Sequence, residues 1–365
     1  MKNGQKVAFF KGTYKEDKMN KQYFDTTKNG VEVSKYTIEN AKGMQAVLTD
    51  FGATVVDLLV PDRDGNMVDV SLGYDNVNSY DEETTYFGAI VGPYANRIAD
   101  AKFELDGVEY KLDANNNENN LHSGFSTWAK QVWTVKEHTA NKIVFTYNAK
   151  HLEQGFPGNM TCDVTYEITD NNELEISYYA VSDQKTTFNM TNHLYFNLNG
   201  CVSGDVLGQE LMIKASHYTP VKSAKAIPTG ENAPVEGTPF DFRVAKTIGR
   251  DIKVENDQLT YGLGYDHNFA IDKETDGMEK VAEAYAPESG IAMEVYTDCI
   301  GIQLYTGNFI EGQIGKRGHK HVKHEGFCLE TQYFPNSINE PNFVRPITEA
   351  NEPYETKTVY AFSVR

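Results

Sequence analysis

The sequence predicts an all-β protein, a large antiparallel sandwich or barrel with few short helices. Apolar residues recur at every second position along most of the chain, and Gly, Asn and Asp turn signals separate these runs. No long amphipathic helical pattern interrupts them. Many short strands joined by such turns are typical of sandwiches and barrels. Because no Pro- or Ser-rich linker divides the 365 residues, we expect one domain over 23–365, preceded by a loosely attached segment over 1–22.

Tight turns mark two hairpins in the first third of the chain. Residues 103–112 alternate between apolar and polar on both sides of Asp106-Gly107, a pair that supplies the positive φ angles of a type I′ turn. Asp64-Gly65 divides the apolar runs of 55–72 in the same way. The acidic residues from Asp62 onward lack the later ligand of a calcium loop, so a hairpin turn is the better interpretation.

Strands of the same period follow later in the chain. Residues 160–168 and 174–180 alternate on either side of Asn171-Asn172, which predicts two half-buried strands joined by a tight turn. Shorter alternating runs at 291–295 and 302–305 predict two further strands.

Helices are expected to be short, and none is expected to attach the chain to a membrane. Helical turns are compatible with the patterns of Glu82–Val91 and Gln332–Asn336. No apolar run approaches the ~18 residues of a membrane span. Residues 1–18 lack the apolar core of an export signal. We therefore expect a cytoplasmic protein.

The charge balance excludes polyanionic partners. The chain has 34 Lys and Arg against 52 Asp and Glu, a formal net charge of −18, and no basic cluster that could follow a nucleic acid. The same negative field disfavours anionic membrane surfaces. Because a strongly acidic surface keeps proteins soluble and separate, we expect a monomer or weak homodimer that acts on a small molecule.

Cysteine and histidine spacing does not predict a metal centre. The cysteines fit no zinc pattern, so we expect reduced, buried thiols at Cys162, Cys201, Cys299 and Cys328. The densest histidine cluster, His319, His321 and His324, lies in a glycine-rich, cationic stretch. Because cations repel a metal ion, no metal is expected here. The glycine-rich, cationic composition predicts a mobile surface loop. The motifs of nucleotide-binding loops, zinc proteases and serine hydrolases are also absent.

Four residues have the chemistry of an acid–base site. His122 and His193 are flanked by amides and apolar residues, without a neighbouring cation. A lone histidine of this kind is more often structural, yet an imidazole oriented by amides can act as a general acid near neutral pH. Glu330 lies among apolar residues, which suits a base of raised pKa, and Asp266 follows a flexible glycine stretch. Taken singly, each carboxylate is more often an ordinary turn or edge-strand residue.

Arg97 adds a cation to this set. It follows Asn96 among aromatic and amide residues, where a guanidinium can orient a carboxylate or donate to sugar hydroxyls. A surface ion pair is the alternative. The residues by themselves indicate a β protein with a polar, aromatic cleft suited to a carbohydrate.

Six segments, taken in order, resemble motifs of the aldose 1-epimerase (galactose mutarotase) family. They are Asn96-Arg97-Ile98, Asn120-Leu121-His122-Ser123-Gly124, Thr191-Asn192-His193-Leu194-Tyr195-Phe196-Asn197-Leu198, Tyr265-Asp266-His267, Gln303-Leu304-Tyr305-Thr306-Gly307-Asn308-Phe309 and Phe327-Cys328-Leu329-Glu330-Thr331-Gln332. The resemblance runs from about Phe51 to Arg365. It implies the family's large β-sandwich, the galactose mutarotase-like supersandwich.

The resemblance also implies a reaction and roles for its residues. The reaction interconverts the α and β anomers of free aldohexoses such as galactose and glucose. Glu330 is the implied base, which removes the proton of the C1 hydroxyl, and His193 is the implied acid, which protonates the ring oxygen. The implied sugar-binding residues are His122, Asp266, Arg97, Asn96 and Gln303. No cofactor is implied.

Three other functions stay open at this point. A glycoside hydrolase would use Asp266 and Glu330 as paired carboxylates, at a separation that the sequence does not give. A non-catalytic sugar-binding protein could have the same fold. An epimerase for hexose 6-phosphates would need cations in the pocket beyond Arg97, and the matched motifs supply none.

Overall fold

Short strands alternate with turns along the chain, as the period-two pattern predicts. The computed structural model describes residues 21–365, so most of the predicted N-terminal segment lies outside the described residues. Its last two residues, Lys21 and Gln22, belong to the first strand. The domain boundary after residue 22 stays a prediction.

Strands occur throughout residues 21–365. In the first half they are β1 (Lys21–Thr26), β2 (Glu32–Glu39), β3 (Gln45–Thr49), β4 (Thr54–Pro61), β5 (Met67–Asp69), β6 (Ile90–Val91), β7 (Arg97–Ile98), β8 (Lys102–Leu105), β9 (Val108–Lys111), β10 (Asn120–Leu121), β11 (Thr134–His138), β12 (Lys142–Ala149), β13 (Met160–Ile168) and β14 (Glu173–Ser182). In the second half they are β15 (Thr186–Thr187), β16 (Thr191–Asn192), β17 (Glu210–Ile213), β18 (His217–Tyr218), β19 (Ala233–Pro234), β20 (Lys246–Thr247), β21 (Asp266–Ala270), β22 (Glu279–Tyr285), β23 (Ile291–Thr297), β24 (Gly301–Tyr305), β25 (Cys328–Gln332), β26 (Ile347–Thr348) and β27 (Pro353–Val364).

The described residues contain two α-helices, α1 (Val77–Glu82) and α2 (Asp257–Gly262), and four single turns of 3₁₀ helix. The predicted helical turns are therefore wrong in position. The first helix begins earlier, because the side chain of Asn76 accepts a hydrogen bond from the amide of Ser79 and caps it there. Residues 332–336 leave β25 through turns instead of a helix. Neither helix of residues 21–365 is long and apolar enough to cross a membrane.

Three large antiparallel sheets, with four two-stranded sheets beside them, make up most of residues 21–365, which confirms the all-β sandwich prediction. A nine-stranded sheet has the order β11-β12-β13-β14-β27-β23-β22-β17-β20. Two five-stranded sheets have the orders β1-β2-β3-β4-β5 and β19-β18-β21-β24-β25. One hydrophobic cluster joins side chains of all three, among them Ile38, Val164 and Leu304, each fully buried. The side chains of a strand point alternately to its two faces, so every second residue of a strand can contribute an apolar side chain to this core.

The two predicted hairpins form. β8 pairs with β9, and Asp106 and Gly107 both have positive φ, at 51° and 79°. β4 pairs with β5 across residues 62–66. Within that turn, the Asp62 carboxylate accepts hydrogen bonds from the amides of Asp64 and Asn66. Because the turn itself occupies this carboxylate, the geometry favours the hairpin interpretation over a calcium loop.

The four cysteines are buried and unpaired, as expected.

The sheet β19-β18-β21-β24-β25 brings distant parts of the sequence to one face. Gln303 on β24 lies opposite Glu330 on β25. Asp266 on β21 lies opposite Tyr305, which lies opposite Cys328. Since residues two apart on a strand share a face, the side chains of all five residues point from the same side of the sheet.

Candidate active site

His122 is held by a short β-bridge next to Asn96. β7 and β10 pair, and the amide of His122 donates to the carbonyl of Asn96 at 3.0 Å. In return, the amide of Asn96 donates to Nδ1 of His122 at 3.2 Å. Because Nδ1 accepts this bond, a neutral His122 carries its proton on Nε2. The backbone thus fixes both the position and the tautomer of this imidazole.

His193 follows β16, the short strand that pairs with β6. Its amide donates to the carbonyl of Ala89, and its carbonyl accepts from the amide of Gly88, each at 2.9 Å. Its ring stacks on Tyr195 with 5.0 Å between centroids and meets the ring of His122 edge-on at 5.3 Å. Main-chain bonds on one side and rings on the other therefore hold the imidazole in place.

Glu330 completes the group from β25. Its Oε2 lies 3.8 Å from Nε2 of His193 and has no hydrogen-bond partner within residues 21–365. One ring nitrogen of His122, one of His193 and one carboxylate oxygen of Glu330 lie within 4.8 Å of one another. All three residues are at most 6% exposed. The structure thus brings the predicted base, the predicted acid and His122 together.

Burial shifts the pKa of all three groups. It raises the pKa of Glu330 well above the usual range; the negative charge of Asp266 adds to this, and Arg97 opposes it. Burial also lowers the pKa of His193 to about 4 and that of His122 well below its usual value. Burial therefore favours the protonated carboxyl of Glu330 and the neutral rings of His122 and His193.

Asp266 and Arg97 form a second polar group beside the first. Nε2 of Gln303 donates to Asp266 at 2.7 Å, and a guanidinium nitrogen of Arg97 lies 3.9 Å from the same carboxylate. The guanidinium also donates to Asn116 at 3.1 Å. A cleft next to residues 219–228 is lined by Asn96, Arg97, Asp266 and Gln303. All five predicted sugar-binding residues are thus next to the acid–base group or the cleft.

Tyr86 and Cys328 were not among the predicted site residues. The ring of Tyr86 lies 4.8 Å from that of His122 and 5.9 Å from that of His193. Its φ of 55° is an unusual conformation for a bulky residue, and no sequence signal marks it. Cys328 Sγ lies 3.5 Å from Nδ1 of His193. The alternation of β25 places Cys328 on the face of Glu330, so this neighbour could have been found from the sequence.

The predicted mobile loop near His319 is tied down instead. Nε2 of His319 and Nδ1 of His321 contact the two oxygens of Glu325 at 2.5 and 2.7 Å. His321 is 2% exposed and Glu325 is fully buried, so the surface-loop prediction is wrong for this part of the segment. His324 contacts the carbonyl of Thr306 and stands apart from the pair.

This cluster is better explained by hydrogen bonds than by a metal ion. Nε2 of His321 is buried and has no partner among the described residues. A metal ion on Nδ1 would force the proton onto Nε2, where nothing accepts it, whereas ligating histidines normally donate that proton. A neutral His321 that donates from Nδ1 to Glu325 avoids this cost. The absence of a metal stays a prediction.

Comparisons with known proteins agree on one family. The family model for aldose 1-epimerase matches residues 34–361. Galactose mutarotase of Sus scrofa is 40% identical over 91% of this chain and 94% of its own length. Aldose 1-epimerase of Escherichia coli K12 is 34% identical over 89% of this chain and 94% of its own.

Solved structures agree as well. A crystal structure of an aldose epimerase homologue from C. elegans superposes with a TM-score of 0.84 at 30% identity, over 91% of this chain and 99% of that one. The structure of galactose 1-epimerase from Lactobacillus acidophilus has the same fold, with a TM-score of 0.82 at 24% identity over 95% of this chain and 99% of that one. The family resemblance and the sandwich fold expected from the sequence are confirmed. The chain belongs to the aldose 1-epimerase family.

Proposed function

We propose that this protein interconverts the α and β anomers of free aldohexoses, galactose and glucose among them, with Glu330 as the base and His193 as the acid. The observation that carries the assignment is the separation of 3.8 Å between Oε2 of Glu330 and Nε2 of His193. At this separation the two groups do not bond directly, so oxygens of one sugar ring can reach both. The names of the relatives supply the substrate class.

The reaction needs one proton added and one removed. The reactive form is an ionised Glu330 with a protonated His193, which together hold the same number of protons as a neutral Glu330 beside a neutral His193. Glu330 removes the proton of the C1 hydroxyl while His193 gives its Nε2 proton to the ring oxygen, and the bond between C1 and that oxygen breaks. Rotation about C1–C2 and the reverse proton transfers close the ring on the other face.

Binding of the sugar favours this reactive form. Oε2 of Glu330 accepts no hydrogen bond from residues 21–365. A sugar hydroxyl that donates a hydrogen bond to this oxygen stabilises the carboxylate and lowers its pKa, because hydrogen bonds to the charged form favour that form. The proton so released is available to the nearby imidazole of His193. Asp266, Arg97, Asn96 and Gln303 then orient the remaining hydroxyls.

His122 has a different task. Its Nε2 proton is fixed by the amide that donates to Nδ1, so it offers a permanent hydrogen bond to a sugar oxygen. This bond orients the ring and stabilises negative charge on oxygen during opening. No metal, nucleotide or redox cofactor has a part in the scheme.

The alternative functions have less support. A hydrolase would need Asp266 free to act as an acid, but Gln303 and Arg97 already contact its two oxygens. A phosphate-binding epimerase would need cations in addition to Arg97, and no other Lys or Arg is among the described residues that line the cleft. We further propose a cytoplasmic monomer or weak homodimer without nucleic-acid or membrane partners, which size-exclusion chromatography coupled to light scattering can test in part.

Polarimetry tests the proposal directly. Freshly dissolved α-anomers of galactose, glucose and xylose, and the 6-phosphates of the two hexoses, are followed with and without the protein. We expect faster equilibration of the free aldoses and little effect on the phosphates. Calorimetric binding of galactose without faster equilibration would make the protein a sugar-binding protein. Release of nitrophenol from nitrophenyl galactosides would make it a hydrolase.

A further inference from the structure

The two site histidines differ in what faces Nδ1. In His122 a main-chain N–H donates to Nδ1 at 3.2 Å, so no proton can occupy that nitrogen without breaking the bond. In His193 the neighbour of Nδ1 is the sulfur of Cys328 at 3.5 Å. A sulfur can accept a hydrogen bond, whereas an N–H cannot. Only His193 can therefore carry a proton on Nδ1 while Nε2 stays free.

The proton that takes part in catalysis has to be on the other nitrogen. Nε2 of His193 faces Oε2 of Glu330, an oxygen that is buried and has no partner within the described chain. For Nε2 to gain and lose a proton in each cycle, the second proton of the imidazolium must stay on Nδ1 throughout. The neutral ring then has a lone pair on Nε2, ready for the proton that Glu330 releases.

We propose that Cys328 is a positioning residue that accepts the Nδ1 proton of His193 and so reserves Nε2 for proton transfer. The proposal rests on the proposed function, because it assigns His193 the proton-carrying role and His122 the role of fixed donor. The arrangement follows the logic of catalytic triads, in which a third group orients the imidazole that moves the proton.

The chemistry of the buried thiol suits this role. Cys328 is fully buried, and burial, with Glu330 and Asp266 nearby, raises the pKa of its thiol well above the usual value. The sulfur therefore stays neutral and is a weak acceptor. A carboxylate in its place would stabilise the imidazolium strongly and weaken His193 as an acid, whereas a thiol orients the ring without that effect.

Nuclear magnetic resonance of the ligand-free protein tests the proposal without reference to activity. Long-range ¹H–¹⁵N correlation spectra of ¹⁵N-histidine-labelled protein show which ring nitrogen is protonated, and His193→Asn and His122→Asn variants assign the signals. At neutral pH we expect the proton of His193 on Nδ1 and that of His122 on Nε2. A proton on Nε2 of the neutral His193 would overturn the proposal. If the tautomers are as expected but no sugar equilibrates faster, the proposed function fails, whereas the assignment of Cys328 as the acceptor of the Nδ1 proton of His193 stands.

Variants of Cys328 supply the second test. Cys328→Ala removes the acceptor, so we expect the Nε2-protonated tautomer of His193 to appear and kcat to fall roughly 3- to 10-fold, as for one lost hydrogen bond, with KM nearly unchanged. Cys328→Ser keeps an acceptor and should restore both. Cys162→Ala is the matched control, since this equally buried thiol contacts Met190 and none of the site residues named above. A loss of kcat in Cys328→Ala without a change of tautomer would assign the residue to packing and overturn the proposal.

Discussion

Nε2 of His193 and Oε2 of Glu330 lie 3.8 Å apart, on residues that are respectively 5% and 3% exposed. Burial removes most of the solvent contact that would normally stabilise a carboxylate, and no group among residues 21–365 donates a hydrogen bond to Oε2. The hydroxyl of a bound sugar can therefore supply the hydrogen bond that Oε2 does not receive from the described residues. This relationship and the contacts around it have consequences for activity, stability and pH dependence that can be measured.

Replacing Glu330 by Gln should abolish catalysis without loss of stability. The amide cannot remove the C1 proton, and general acid–base groups typically contribute about 10²–10⁴ in rate, so kcat should fall by that factor. Because burial already favours the neutral form of Glu330, the melting temperature should be unchanged or higher. Polarimetry and thermal unfolding measure the two effects. The exposed Glu352→Gln is the control, and near-normal mutarotation by the Glu330 variant would exclude Glu330 as the base.

The stability of the protein should depend on His193 at acid pH. Its pKa is about 4 in the folded protein and about 6.5 when unfolded, so its contribution is present above pH 6.5 and is lost as the pH falls through 4. Denaturant unfolding of the wild type and of His193→Asn at pH 7 and pH 4 measures this contribution. Between these two pH values the free energy of unfolding should fall by about 3 kcal/mol less in the variant than in the wild type. The control is His217→Asn, at an exposed histidine, which should lose as much free energy of unfolding as the wild type. An equal loss in both variants would mean that His193 is not buried as a neutral ring.

Replacing Asp266 by Asn should move the pH profile. The negative charge of Asp266 raises the pKa of both Glu330 and His193, so its removal lowers both. Both limbs of the plot of kcat/KM against pH should therefore shift to lower pH, and KM should rise because a sugar contact is altered. Asp257→Asn, an exposed change at the start of α2, is the control. An unshifted profile would place Asp266 outside the electrostatic environment of the pair.

The cluster around Glu325 should respond to mutation and not to chelation. Glu325 accepts from His319, His321 and the amide of Val322, so Glu325→Gln leaves buried groups unpaired and should destabilise the protein by about 1–3 kcal/mol. Dialysis against a chelator should leave the melting temperature of the wild type unchanged. A melting temperature that falls on chelation and recovers with zinc would contradict the hydrogen-bond interpretation and show a metal site.

Much of the fold could be predicted from local pattern. The alternation of β13, in which Cys162, Val164 and Tyr166 are fully buried, follows from the two-residue period of a strand. The turn at Asp106-Gly107 follows from the φ angles that these residues tolerate. The helical turns expected at 82–91 were wrong because Phe87 to Val91 are drawn into the core, where their backbone pairs with strands instead of with itself.

The alternating pattern, the turn residues and six ordered motifs were enough to predict the fold class, the hairpins and the family. Which of the motif residues meet depends on how the folded chain packs. His122 and His193 directly follow β10 and β16, whereas Glu330 lies in the middle of β25. These positions are far apart in the chain, and no local sequence period indicates that they meet. Long-range packing also placed Tyr86 against the rings of His122 and His193 and buried Glu325, whose contacts to His319 and His321 are themselves local in sequence. It also set the proton positions, because a pKa depends on burial and neighbouring charges that exist only once the chain has folded.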